Sequence, residues 1–109
     1  MISIARDSGV VTLINAFACE PAQQENLMKA WRDAEAELGV LPGVVSAALH
    51  RSFDGTRVVN YGQLRSVEDW ENLRKIGQMK AYFDRITKFG SPDAHLYEVV
   101  YTRDRTSVA

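Results

Sequence analysis

Apolar and polar positions alternate from Val10 to Ala18. Val11, Leu13, Asn15 and Phe17 fall on one face, and Thr12, Ile14 and Ala16 on the other. A period of two predicts a strand. The period then lengthens. Pro21 suits the first position of a helix, because its missing N–H has no partner there. Leu27, Trp31, Ala34 and Leu38 recur at helical spacing, with Gln23, Glu25, Lys29, Arg32, Glu35 and Glu37 as the wet side. Gly39 stops that helix and Leu41-Pro42-Gly43 turns the chain. Val44 to Ser52 and Thr56 to Arg65 read as a hairpin about Asp54-Gly55. Ser66 caps a second helix, with Asp69 three residues on as a short capping box. Its apolar stripe is Trp70, Leu73, Ile76, Met79, Phe83 and Ile86, and Gly77 inside it predicts a kink or a restart. Phe89-Gly90-Ser91-Pro92 breaks the pattern, and His95 to Thr102 is a fourth strand. Residues 1–8 read as a loose leader and the polar tail from Arg103 as frayed.

Strand, helix, strand, strand, helix, strand is the order of the ferredoxin-like βαββαβ fold, an α+β class with a four-stranded antiparallel sheet. Its two helices cover one sheet face. The other face carries Ile14, Ala16, Val59 and Tyr61, and a bare apolar face must be buried by something. A second copy of the chain is the simplest cover. The expectation is a homodimer forming an α/β barrel about a two-fold axis, with Tyr61, Tyr97 and Tyr101 packed in the seam.

The 109 residues predict one domain, without repeat or linker, whose core runs over about residues 10–102. A net charge of -1 gives no electrostatic reason to bind nucleic acid or an anionic membrane. No apolar run is long enough to span a bilayer, and no basic-then-apolar leader is visible. With Cys19 as the single cysteine there is no intrachain disulfide, and a cytoplasmic setting is expected.

Amides inside apolar strands raise the question of function, because a buried amide costs free energy unless it finds a partner. Asn15 and Asn60 lie on strands that are neighbours in this topology, on the helix side of the sheet. Either they bond each other, or they face a pocket and hold a ligand oxygen. The second reading is favoured, since an amide pair is an unusual filling for a small core. Trp31, Trp70, Tyr82 and Phe83 supply aromatic walls for a flat slot that would take a fused aromatic ligand. Arg85, if turned inward, would stabilise an oxyanion. His50 and His95 are the two imidazoles available as a general base, although each is also explained by solvent or the dimer seam. One cysteine and two separated histidines make no metal cluster, and no Gly-rich phosphate loop is present, so neither metal nor cofactor is expected.

The stretch LPGVVSAALHRSFDGTRVVNYGQLRSVEDW, with VTLINAF before it and DAHLYEVV after it, resembles the antibiotic biosynthesis monooxygenase family of dimeric α/β barrels. The resemblance spans about Val10 to Tyr101. Anthrone oxygenases of that family carry Asn-Tyr-x-Gln-Trp on the third strand. Here the run is Asn60-Tyr61-Gly62-Gln63-Leu64, with Leu64 at the tryptophan position. The resemblance implies cofactor-independent oxidation of a phenolic polyketide, of anthrone or quinol type, by O2. It implies that Asn15 and Asn60 hold an oxygen, Gln63 orients it, Trp70 walls the ring beside Leu64, and Arg85 is an anion partner. A polyketide cyclase of the same superfamily and a non-enzymatic binding dimer are the alternatives. The histidine that haem-degrading relatives carry on the second helix is missing.

Overall fold

The computed structural model describes residues 2–105. Strands β1 (Val11–Ala18), β2 (Val44–Arg51), β3 (Arg57–Leu64) and β4 (Ala94–Tyr97) form one antiparallel sheet in the order β2-β3-β1-β4. Helices α1 (Gln24–Leu38), α2 (Val67–Arg74) and α3 (Gly77–Ile86) complete a ferredoxin-like fold.

Pro21–Gln23 forms a 3-10 turn, and α1 proper starts at Gln24. The Gln24 side chain is buried, and its Nε2 donates to the carbonyls of Ser52 (3.1 Å) and Arg57 (3.0 Å). This ties the helix to the turn end of the β2–β3 hairpin. Phe17 and Val58 on the sheet then meet Leu27, Met28 and Ala34 of α1 and Ile86 of α3 in the main core. The chain leaves α3 close to that core. A Cβ on Gly90 would lie 2.6 Å from Leu27 Cδ1 and 2.7 Å from the Ala18 carbonyl oxygen, so only glycine suits the approach.

Two expectations change, and the restart expected at Gly77 is found. The second helix is two helices. The N–H groups of Lys75 and Ile76 bond back to Asn72 and Leu73 (3.1 and 3.2 Å), which closes α2, and Ile76 is extended (φ -67, ψ 124) before α3 restarts at Gly77. The fourth strand ends at Tyr97 rather than Thr102. It pairs with Thr12–Asn15, and β1 begins at Val11, so the Val-rich residues that follow have almost no strand left to pair with. Val100 and Tyr101 are accordingly exposed. The leader is irregular but anchored. Gln63 is 4% exposed on the open sheet face, where its Nε2 donates to the Ser3 carbonyl (2.7 Å) and its Oε1 accepts from Ser46 Oγ (2.6 Å). Thr12, opposite Gln63, is buried at the same end. Beyond it Ile14, Ala16, Val59 and Tyr61 remain half-buried. In the tail, Arg103–Arg105 are exposed and irregular, and residues 106–109 of the expected frayed end lie outside the described residues, as does Met1. Among the described residues no helix is long and apolar enough to cross a membrane.

Candidate active site

The antiparallel register sets Asn15 of β1 directly opposite Asn60 of β3. Both line a cavity of about 130 Å³ between the sheet and the three helices. Gly62, with Leu13 opposite it on β1 and Ala47 on β2, keeps the floor beside the amides low. Leu64 continues the floor, while Trp31, Trp70, Tyr82 and Phe83 stand around it.

The two amides do not bond each other. Asn15 is 5% exposed, and its Oδ1 accepts from the backbone N–H of Asp93 at 3.2 Å. That donor is available because the chain enters β4 irregularly after Pro92. The Ser91 and Asp93 carbonyls take the N–H groups of Ala18 and Ala16, and the Asp93 N–H turns to the Asn15 side chain instead. With its oxygen engaged, Asn15 keeps its NH2 end for other partners. The Oδ1 of Asn60 is buried with no partner at all. A buried acceptor without a partner costs about 1–3 kcal/mol, and native proteins rarely carry one without a use.

Not every expected residue reaches the cavity. Gln63 does not. It stands three residues from Asn60, an odd step on a strand, and therefore points to the opposite face, where Ser46 and Ser3 satisfy it. Arg85 does not either. It is exposed on α3, with its guanidinium 2.8 Å from Glu37 of α1 and 4.7 Å from the centre of the Tyr82 ring. Its hydrogen bond holds the Glu37 carboxyl below the usual carboxylate range, and the same bond raises Arg85. His50 and His95 pair across from Val59 and Ile14, on the open face, and His95 Nε2 lies 2.7 Å from the Asp93 carboxylate. Cys19 lies outside the cavity, and burial pushes its thiol up. Among the described residues no three His, Cys, Asp or Glu side chains converge as a metal site.

The cavity shares walls with two surface grooves. Trp70, Met79 and Phe83 also border a groove of about 490 Å³ flanked by Arg74 and Lys80. Trp31, Glu35, Leu41 and Ala47 also border a groove of about 540 Å³ between α1 and the edge strand β2. The enclosed space is small beside the roughly 300–1,000 Å³ usual for ligand sites, so a fused-ring ligand must extend into one of these grooves. Among the residues bordering the cavity, Tyr82 and Glu35, the latter exposed on its rim, are the ionisable ones. Periodicity placed Glu35 on the wet side of α1 and gave no sign of the cavity.

The ferredoxin-like fold thus encloses an apolar, aromatic-walled slot with two amides on its floor. Comparison with known proteins gives the class. No family model matches the chain. A curated relative, tetracenomycin-F1 monooxygenase of Streptomyces glaucescens, is 32% identical over 108 residues, covering 98% of this chain and 96% of its own. A solved monooxygenase from the gene ActVA-Orf6 of Streptomyces coelicolor, in complex with nanaomycin D, superposes with a TM-score of 0.75 at 25% identity. That alignment covers 92% of this chain and 96% of the other. A putative antibiotic biosynthesis monooxygenase from Nitrosomonas europaea shares the fold (TM-score 0.73, 16% identity, 90% of this chain and 97% of the other). The chain belongs to the antibiotic biosynthesis monooxygenase family, and it is a monooxygenase.

Proposed function

We propose that the protein is a cofactor-independent monooxygenase that oxidises a phenolic, anthrone- or quinol-type polyketide with O2, and that it works as a homodimer. The observation that carries the reading is the amide pair: an orphaned Asn60 Oδ1 and an Asn15 held by Asp93, opposite each other on the floor of an aromatic cavity. Together they offer one acceptor and one NH2 donor. That pair suits a ring bearing a hydroxyl beside a carbonyl. The name of the Streptomyces glaucescens relative and the nanaomycin D bound to the Streptomyces coelicolor protein support a polycyclic aromatic substrate. The half-buried Ile14, Ala16, Val59 and Tyr61 support a second copy against the open face.

The chemistry needs no redox group if the substrate is the reductant. Loss of a proton gives a delocalised anion, the anion passes one electron to O2, and the two radicals join as a peroxide. Loss of water from the peroxide leaves a quinone carbonyl. The NH2 end of Asn15 is placed to stabilise charge that develops on a ring oxygen, an effect enlarged in a site that excludes water. Asn60 Oδ1 would accept from the neighbouring hydroxyl and fix the ring. Trp70 would stack on it in place of the aromatic residue that Leu64 replaces.

Oxygen uptake by chelator-treated protein with an anthrone is the test. One O2 consumed per quinone formed, at a rate well above the buffer rate, is expected. Conversion of a polyketide substrate with no oxygen uptake would refute the oxygenase reading and point to ring closure.

A further inference from the structure

We propose that Glu35 is the base that takes the acidic C–H proton from the substrate and returns it to the peroxide oxygen, an assignment that rests on the oxygenase reading. The site needs a proton acceptor, and neither histidine can serve, since both lie on the other side of the sheet. Two ionisable residues border the cavity, Tyr82 and the exposed rim residue Glu35. A phenol must first lose its own proton to act as a base, whereas a carboxylate is ready.

The position of Glu35 suits the task. It borders the cavity and also the groove between α1 and β2, at the join of an apolar chamber and solvent. The other acids of α1 are engaged: Glu25 with Arg51 (2.8 Å), Asp33 with Lys29 (2.6 Å) and Glu37 with Arg85 (2.8 Å). Among the described residues Glu35 joins no ion pair, so its carboxylate is not already committed to a cation. A planar ring entering the chamber strips water from one side of the carboxylate, and desolvation strengthens a carboxylate as a base.

For a substrate with a reactive CH2 group the steps balance. A carboxylate oxygen of Glu35 takes one C–H proton, and the electron pair stays in the ring as an anion. The anion and O2 join through one-electron transfer and radical pairing, forming a C–O bond. The peroxide oxygen takes the proton back from Glu35. Glu35 then removes the second C–H proton as the O–O bond breaks, the carbon becomes a carbonyl, and the departing hydroxide takes that proton to leave as water.

The test separates proton removal from oxygen chemistry. An anthrone is held with the protein in D2O under argon, and exchange at its CH2 is followed by NMR. Wild-type protein should accelerate exchange, and Glu35→Gln should lose about 10²–10⁴-fold of that acceleration. Glu35→Asp should keep part of it, and added formate should restore part of it to Glu35→Ala. Binding of the quinone product, read by fluorescence quenching, should be unchanged in Glu35→Gln, which excludes a misfolded site. Exchange that is as fast in Glu35→Gln as in wild type, or no acceleration by wild type, overturns the assignment. Exchange that depends on Glu35 without any oxygen uptake in air would instead overturn the oxygenase reading and leave the base in place.

Discussion

Removing the two floor amides one at a time should have unequal structural consequences. Asn15→Ala deletes the acceptor that the Asp93 N–H uses at 3.2 Å, next to a residue only 5% exposed. Stranding that donor should cost about 1–3 kcal/mol. For a chain of this size each kcal/mol lowers the melting temperature by about 4 °C, so a fall of about 4–12 °C is expected. Asn60→Ala removes an Oδ1 that is already buried without a partner. The relief of about 1–3 kcal/mol offsets the packing lost beside an existing cavity, so stability should stay within about 1 kcal/mol of wild type. Turnover should fall in both, by about 10²–10³-fold where an oxyanion donor is lost. Melting followed by circular dichroism and oxygen uptake on the same preparations measure both effects. If Asn60→Ala melts as low as Asn15→Ala, or keeps normal turnover per folded molecule, the floor amides are structural and the site is misplaced.

Further outcomes are expected elsewhere. Val59→Asp places a carboxylate on the open sheet face, and sedimentation should show a monomer or unfolded chain where wild type should sediment as a dimer; a monomeric wild type at micromolar concentration would refute the dimer. Gly90→Ala forces a Cβ to 2.6 Å from Leu27 Cδ1 and 2.7 Å from the Ala18 oxygen, and urea unfolding should show a loss of about 1–3 kcal/mol. Asp54, bonded by the backbone N–H and hydroxyl of Thr56 and by Ser52, is held down to about 2. Its folded value is depressed, so its contribution is complete above the ordinary carboxylate range and is lost as pH falls towards about 2. Acid unfolding of Asp54→Ala should show a shallower limb in that window, and an unchanged limb would remove the turn as its cause.

Local patterning made the sheet legible. The alternation along β1 and the turn at Asp54-Gly55 are short-range signals, and they place Asn15 and Asn60 on the helix side, where the cavity lies. Parity was legible as well: Gln63 cannot share a face with Asn60 three residues away, whatever the shared motif suggests. What required the fold was pairing across distance. Arg85 is drawn out of the cavity by Glu37, 48 residues earlier. The Val-rich stretch after Tyr97 has strand composition, yet the start of β1 leaves it almost nothing to pair with. The Asn15–Asp93 bond spans 78 residues. Glu35 carries no sequence signal, because a rim residue keeps the polarity of the wet face it belongs to.

The break at Lys75–Ile76 divides the work of the site between two kinds of structure. The floor amides are fixed by a sheet ladder in which a shift of one residue would reverse every side chain. The roof over them is two short helices joined at an extended residue, bearing Trp70 on one and Met79 and Phe83 on the other. For the proposed ring substrate, sliding α3 or exchanging one of those three side chains should alter how wide and how long a ring can enter, while the polar floor stays where it is. On the proposed function, ring-size preference should change by substitutions in the roof alone, and engineering of it should begin there rather than in the strands.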